Sequence, residues 1–157
     1  MTILEISGAL LLAGACDHEP CDGLGLDDLA GWIADACDVE GGAEPTGGEC
    51  AMIVVAILAV ETAGTFVPYS TGRWVGSGVG PIGIVQPREC FRNTAIGVRC
   101  FGPEELLGGA SNIRAAVEIL RWKAARSRSL RGRIEAFNAS ADKRRYADRA
   151  LRVLDRL

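Results

Sequence analysis

One acidic residue of the chain has a sequence context that suits acid–base chemistry. Glu61 ends the strongly apolar segment CAMIVVAILAVET and is followed by a stretch rich in Gly, Pro, Thr and Ser. We expect a carboxyl group in this position to be partly desolvated, which disfavours its charged form and raises its pKa. A raised pKa suits a general acid that protonates a leaving oxygen. The competing interpretation is a glutamate at a helix end that simply points to water.

The spacing of the acidic residues narrows the chemistry further. No Asp or Glu occurs between Glu61 and Glu89. Glycosidases that use two carboxylates hold the second one across the scissile bond, roughly 5 to 10 Å from the first. The segment after Glu61, where such a partner is expected, has no carboxylate, which favours a mechanism with a single acid.

Four short blocks of sequence surround this glutamate in a recognisable order. They are AILAVET (56–62), GPIGIVQ (80–86), SNIRAAVEIL (111–120) and EAFNAS (135–140). In this order the blocks resemble those of the soluble lytic transglycosylases and goose-type lysozymes. That family has a helix ending in Glu-Ser, then Gly-x-x-Gly-Leu-Met-Gln, a helix with an Asn-Ile step, and Ala-Tyr-Asn-Ala-Gly. The resemblance covers about residues 49–157 and leaves out the first 45 or so.

This resemblance implies a lysozyme-like fold and cleavage of peptidoglycan between N-acetylmuramic acid and N-acetylglucosamine. Glu61 would protonate the glycosidic oxygen and then act as the base for the 6-hydroxyl of the muramic acid, which gives a 1,6-anhydro product. A true hydrolase that activates water is the other outcome open to such a site. Neither reaction needs a metal or an organic cofactor.

Several further residues are implied as substrate-binding. Motif positions give Thr62, Gly83, Gln86, Phe137 and Asn138, and the loop after the acid adds Tyr69, Ser70 and Thr71. Phe137 stands where the family has a tyrosine whose hydroxyl points to the acid. That departure favours an alternative function, a catalytically weak tail, baseplate or glycan-binding component that retains the fold.

The elements that must position these residues can be read from the hydrophobic pattern. The chain has 157 residues, of which 48% are hydrophobic and 24% charged, as expected of one globular protein. Apolar spacing predicts helices over Leu4–Ala15 and Leu26–Cys37, one beginning near an N-cap at Ser111, a shorter one near Leu130–Ala139, and a last one after Asp142. The segment before Glu61 suits either a buried helix or a buried strand. The predicted fold class is mainly α (α+β), with a small β or irregular lobe.

Six cysteines predict disulfide bonds and an oxidising setting: Cys16, Cys21, Cys37, Cys50, Cys90 and Cys100. Six cysteines allow 15 pairings, and the short loop between Cys90 and Cys100 makes these two the best candidate pair. Buried free thiols are the alternative. A zinc site formed by Cys16, His18, Cys21 and Cys37 is a weaker hypothesis, because the spacing matches no standard zinc motif.

Charge is distributed unevenly along the chain. Twelve acidic and no basic residues occur up to Glu61, whereas residues 114–157 carry thirteen basic and five acidic residues. Either the two halves face each other in the fold, or each end meets a different partner. The net charge of −3 and the lack of a recognised motif argue against nucleic acid as that partner.

The N-terminal segment predicts an extension rather than part of the catalytic unit. The apolar run that begins at Ile3 is about 13 residues long, too short to span a bilayer, and it contains Glu5 with no preceding positive charge. We therefore divide the chain into a Cys-rich helical extension (1–48) and a transglycosylase domain (49–157). A phage virion suits this arrangement, with the extension docked on tail or baseplate proteins; the bacterial periplasm or cell envelope is the alternative setting.

Overall fold

A computed structural model describes residues 1–14, 26–38, 44–61, 90–93, 97–100, 109–138 and 141–157. Within these ranges the chain is mainly helical, as predicted. Its elements are α1 (Ile3–Leu12), α2 (Leu26–Cys37), α3 (Gly47–Glu61), β1 (Cys90–Asn93), β2 (Gly97–Cys100), α4 (Gly109–Ala124), α5 (Leu130–Phe137) and α6 (Lys143–Leu154).

Helix α1 begins and ends at clear local signals. The Thr2 hydroxyl accepts from the backbone N–H of Glu5 at 3.3 Å, and the Glu5 carboxylate accepts from the N–H of Thr2 at 2.7 Å. This reciprocal capping box fixes the first turn. The helix stops at Leu12, earlier than the predicted Ala15, because Gly14 takes a φ of 95°, a conformation that glycine adopts without steric cost.

Helix α3 is the centre of the core. Its apolar sequence suits either a buried helix or a buried strand, and in the structure it is a helix of 15 residues. Residues all round its axis are buried, including Ile53, Ile57 and Leu58 at 0 to 1% exposure. An α-helix that is apolar on every side is stable only when other helices surround it. Here α3 packs against α1, α2, α4 and α6.

Helices α4 to α6 form the second half of the bundle. Helix α4 begins at Gly109, so the prediction of an N-cap at Ser111 was wrong. An added Cβ at Gly109 would lie 2.1 Å from the Trp32 ring, which explains why the close approach of α2 to this helix start requires glycine. Helix α6 starts after Asp142, as predicted, and packs against α3 and α5.

Two short strands lie between α3 and α4 in the sequence. β1 and β2 pair antiparallel, with Cys90 opposite Cys100 and Asn93 opposite Gly97. Whether this hairpin belongs to the small β or irregular lobe stays a prediction. The bond between Cys90 and Cys100 stays a prediction, although the backbone register sets these two residues directly across from each other.

One continuous hydrophobic core joins residues on both sides of the predicted division at 48/49. Ile6 and Leu10 of α1 and Ile33 of α2 belong to the same buried cluster as Ile113 and Val153. The Ser7 hydroxyl also donates to the Asp27 carboxylate at 3.1 Å, which links α1 to α2. The extension and the domain beside it are therefore packed together, and the division stays a description of the sequence.

The opposite charges of the two halves meet at only a few described places. The Arg133 guanidinium contacts Glu49 at 2.5 Å and Glu44 at 3.6 Å, which connects α5 to the start of α3. Arg121 of α4 donates to the backbone carbonyl of Cys37 at 3.2 Å, where the end of α2 leaves carbonyl groups without helical partners. Arg133 and Arg121 thus connect the basic half of the chain to the acidic half.

Candidate functional site

The predicted catalytic residue occupies the end of the central helix. Glu61 is the last residue of α3, and its side chain is exposed, whereas the turns before it are buried. The negative end of a helix dipole is an unfavourable place for a carboxylate. The carboxyl group is thus attached to the most enclosed of the described helices and still presented to solvent.

A tyrosine from the last helix holds this glutamate. The Tyr146 hydroxyl donates to Glu61 Oε1 at 2.7 Å, and the tyrosine itself is only 4% exposed. The two residues are 85 positions apart in the chain, and the packing of α6 on α3 brings them together. A hydrogen bond of this length to a carboxylate is of the stronger, charge-assisted kind.

Burial and the neighbouring carboxylate keep the tyrosine protonated. Burial is the larger cause and raises the pKa of Tyr146 far above its ordinary value, and the charge and hydrogen bond of Glu61 raise it further. The positive charge of Arg149 lowers this pKa and so opposes both effects in part. Tyr146 therefore acts as a fixed hydrogen-bond donor at neutral pH rather than as a proton source.

The sequence did not identify Tyr146 as part of the site. The spacing of Tyr146 with Ala150 and Val153 predicts only an apolar face of the last helix, and the structure confirms that all three residues are buried. The signal was the residue type, since a buried tyrosine hydroxyl usually finds a polar partner. Tyr146 also supplies a hydroxyl to Glu61, the group that is absent from Phe137.

The expected partial desolvation of Glu61 is a point of correction. The structure shows an exposed side chain, because the glutamate projects beyond the last buried turn of α3. The interpretation of a helix-end glutamate in contact with solvent is therefore correct as to exposure. It is incomplete as to contacts, because the carboxylate is bound by Tyr146. An exposed carboxyl group held in one orientation can reach a ligand and exchange a proton with it.

Two other predicted site residues lie at the end of α5. Phe137 is buried at 6% exposure within the core, and the Lys123 ammonium lies 5.9 Å from the centre of its ring. Lys123 also donates to the Phe137 carbonyl at 3.1 Å. Asn138 is the C-cap residue and is partly buried. The part of these residues in substrate binding stays a prediction, and the ring of Phe137 has little surface left for a ligand.

The rest of the predicted binding set lies outside the described residues: Thr62, Tyr69, Ser70, Thr71, Gly83 and Gln86. From the SNIRAAVEIL block, Asn112 and Ile113 are both fully buried in α4. Most of this block accordingly contributes to the core beside α2, whereas Arg114 is exposed.

One disulfide bond is present between two of the six candidate cysteines, in a pairing that the sequence left open. Cys37 at the end of α2 and Cys50 in the first turns of α3 are bonded and buried. Because Cys37 is used in this bond, it is unavailable as a zinc ligand, and the zinc hypothesis loses one of its four residues. Cys16, His18 and Cys21 lie outside the described residues. Among the residues that the structure does describe, no group of His, Cys, Asp and Glu side chains could hold a metal ion.

Comparisons with known proteins add no assignment. Protein-family models, curated proteins and solved structures gave no significant match to this chain. In the parts of the chain described above, no helix is both long and apolar enough to cross a membrane. The functional argument therefore depends on the residues themselves.

Proposed function

We propose that this protein is a peptidoglycan lytic transglycosylase with a lysozyme-like domain, in which Glu61 is the acid and the base. The observation that carries the proposal is the hydrogen bond of 2.7 Å from the buried Tyr146 to the exposed Glu61. A glutamate that merely ended a helix would need no such partner. The four sequence blocks in family order, and the lack of any other acid before Glu89, support the same reaction.

The proposed reaction uses one carboxyl group twice. Protonated Glu61 gives its proton to the glycosidic oxygen as the bond from that oxygen to the anomeric carbon breaks. The carboxylate then takes the proton of the muramic acid 6-hydroxyl while O6 bonds to the same carbon. Glu61 ends protonated again, and no water is consumed. The substrate's own acetamido group would stabilise the positive charge that a second carboxylate faces in other glycosidases.

Tyr146 would be a positioning residue in this scheme. Its hydroxyl binds Oε1 of Glu61, so it limits the orientations that the carboxyl group adopts. A proton can be transferred only within hydrogen-bond reach of the sugar oxygens, and a fixed orientation therefore favours both steps. Because Tyr146 offers a hydroxyl to the acid, the phenylalanine at position 137 does not by itself favour the catalytically weak alternative.

The setting is part of the same proposal. Peptidoglycan glycan strands would be the substrate, and a virion tail or the bacterial periplasm and envelope would be the location. Helix α1 leaves Leu4 82% exposed and Leu12 60% exposed, which supports the hypothesis that this segment docks on tail or baseplate proteins.

The test compares the protein with Glu61→Gln on purified peptidoglycan sacculi. The amide keeps the shape of the side chain but cannot carry the proton, so we expect release of fragments to fall by about 100-fold or more. Asp35→Asn is the matched control, because Asp35 is an exposed acid of α2 and the same chemical change there should leave the rate unchanged.

Mass spectrometry of the released fragments separates the possible functions. Anhydro-muropeptides from the protein and from Asp35→Asn, with none from Glu61→Gln, would support the transglycosylase. Reducing ends would instead identify a hydrolase. If the unmodified protein releases no fragments under oxidising conditions, the catalytic proposal fails and the glycan-binding or structural alternative is favoured.

A further inference from the structure

The last helix carries a line of exposed arginines that the proposed reaction does not use. Arg145, Arg149, Arg152 and Arg156 are spaced at i, i+4, i+7 and i+11, which puts them on one side of α6 and its final turn. All four are exposed. We call this set the arginine stripe; at 1.5 Å of rise per residue it is about 16 Å long.

The arginine stripe is not used to hold the fold together. No acidic side chain of the described residues lies within ion-pair distance of Arg149 or Arg152, and Arg145 reaches Asp142 only at 3.9 Å. The Nε of Arg156 donates to the carbonyl of Arg152 in the same helix. By contrast, the neighbouring Arg131 contacts Asp148 at 2.8 Å.

Local electrostatics make the first part of the arginine stripe unfavourable for the helix, although Arg152 lies in the last turn, where the helix dipole favours a cation. Like charges three and four positions apart repel one another. Arg145 also lies in the first turn of α6, where the helix dipole is positive and a cation is disfavoured. A bound anion would relieve both effects, so the arrangement favours a role in binding.

The position of the arginine stripe indicates what it binds. Arg149 follows Tyr146 by three positions, which makes the two residues neighbours on the surface of α6, and its charge lowers the pKa of the Tyr146 hydroxyl. That hydroxyl is bonded to Glu61. The stripe thus passes near the proposed acid at Arg149 and continues along α6, as a polymer bound at Glu61 would extend.

We propose that the arginine stripe binds the free carboxylates of the stem peptides on the glycan strand that Glu61 cleaves. This inference rests on the proposed function, and it adds that the enzyme recognises the anionic peptide part of its substrate. Guanidinium groups suit carboxylates because they form two parallel hydrogen bonds with them. No aromatic side chain belongs to the arginine stripe, whereas proteins that bind single-stranded nucleic acid usually stack its bases on aromatic side chains.

The test measures binding rather than cleavage, with Glu61→Gln as the parent so that the sacculi stay intact. The double variant Arg149→Gln/Arg152→Gln removes the middle of the stripe. The control Arg126→Gln/Arg144→Gln removes two other exposed arginines and has the same net charge. Each protein is titrated with untreated sacculi, with sacculi whose carboxylates have been amidated, and with DNA, and circular dichroism verifies folding.

We expect the stripe variant to bind untreated sacculi at least about tenfold more weakly than the parent, and the control to stay within about twofold. Amidated sacculi should bind the parent as weakly as untreated sacculi bind the stripe variant. Equal binding by both double variants, or no binding by the parent, would overturn the inference. The inference would also be overturned if the parent bound amidated sacculi as tightly as untreated sacculi. The same holds if the stripe variant bound only DNA more weakly than the parent. If the proteins bind sacculi as expected but the unmodified protein, with Glu61 intact, cleaves no peptidoglycan, the proposed function is refuted and the ligand of the stripe is still established.

Discussion

Removing the Tyr146 hydroxyl is the sharpest test of the site geometry. Tyr146→Phe deletes the donor to Glu61 and keeps the ring, which is 4% exposed and packed in the core. Hydrogen bonds to charged groups contribute about 1.5 to 3 kcal/mol. Glu61 is exposed and can be hydrated after the loss, so we expect the lower end, a fall of about 1 to 2 kcal/mol in the free energy of unfolding at pH 7.

The difference in unfolding free energy between the unmodified protein and Tyr146→Phe should change with pH, and the measured change can refute the proposed contact. The pKa of Tyr146 is raised in the folded protein, mainly by burial and then by Glu61. The unfolded tyrosine loses its proton above about pH 10 while the folded one keeps it, so the unfolded state binds fewer protons and stability falls as pH rises. The contribution is complete below pH 10 and declines by about 1.4 kcal/mol per pH unit above it.

Denaturant unfolding of both proteins from pH 7 to pH 12 measures this effect. Groups other than Tyr146 titrate in both proteins, so their difference isolates the tyrosine. Two units above pH 10 remove about 2.7 kcal/mol from the unmodified protein alone, which should make Tyr146→Phe the more stable protein near pH 12. A difference that stays constant across this range would show that Tyr146 is not a buried, protonated partner of Glu61.

Three further outcomes follow from the packing. Replacing both Cys37 and Cys50 by alanine should lower the free energy of unfolding by about 3 kcal/mol, since their bond closes a loop of 13 residues, and reductant should cause at least this loss in the unmodified protein and a smaller loss in the variant. Gly109→Ala should cost about 1 to 3 kcal/mol because its Cβ would meet the Trp32 ring, whereas Gly31→Ala, with open space in α2, should be neutral or stabilising by up to about 1 kcal/mol; equal effects would contradict the close approach. Ile57→Ala, at 1% exposure in α3, should cost about 2 to 5 kcal/mol in denaturant unfolding, against less than about 0.5 kcal/mol for Leu4→Ala at 82% exposure.

The sequence predicted those parts of the fold whose signals are local. Helix α2 has the predicted bounds because its apolar residues follow one clear period, and α6 begins after Asp142 as expected. The start of α4 was misplaced because Ser111 has the residue type of an N-cap, whereas the helix begins two residues earlier, at Gly109, which lies close to Trp32 of another helix. For α3 the all-round apolar pattern fitted two structures, and only the surrounding helices determine that it is helical.

The candidate site shows the same limit. Glu61 could be identified because the end of a long apolar run is visible in the sequence. Its partner could not, since the periodicity of α6 indicates that Tyr146 is buried but not which residue it meets across the bundle. The arginine stripe was visible only as an excess of positive charge, and its use of one helix face became evident once α6 had fixed bounds and exposures.

The position of Glu61 at the end of α3 has a consequence for hydrogen exchange. The middle of α3 is enclosed by other helices, so its amides should exchange only when the whole protein unfolds. The final turn of a helix opens more readily than its middle, because helices fray from their ends. The carboxyl group therefore lies at the junction between the most protected part of the molecule and a turn that can open locally. In exchange experiments, the hydrogen bond from Tyr146 should appear as added protection of the last amides of α3, and Tyr146→Phe should remove it there while leaving the amides around Ile53 unchanged.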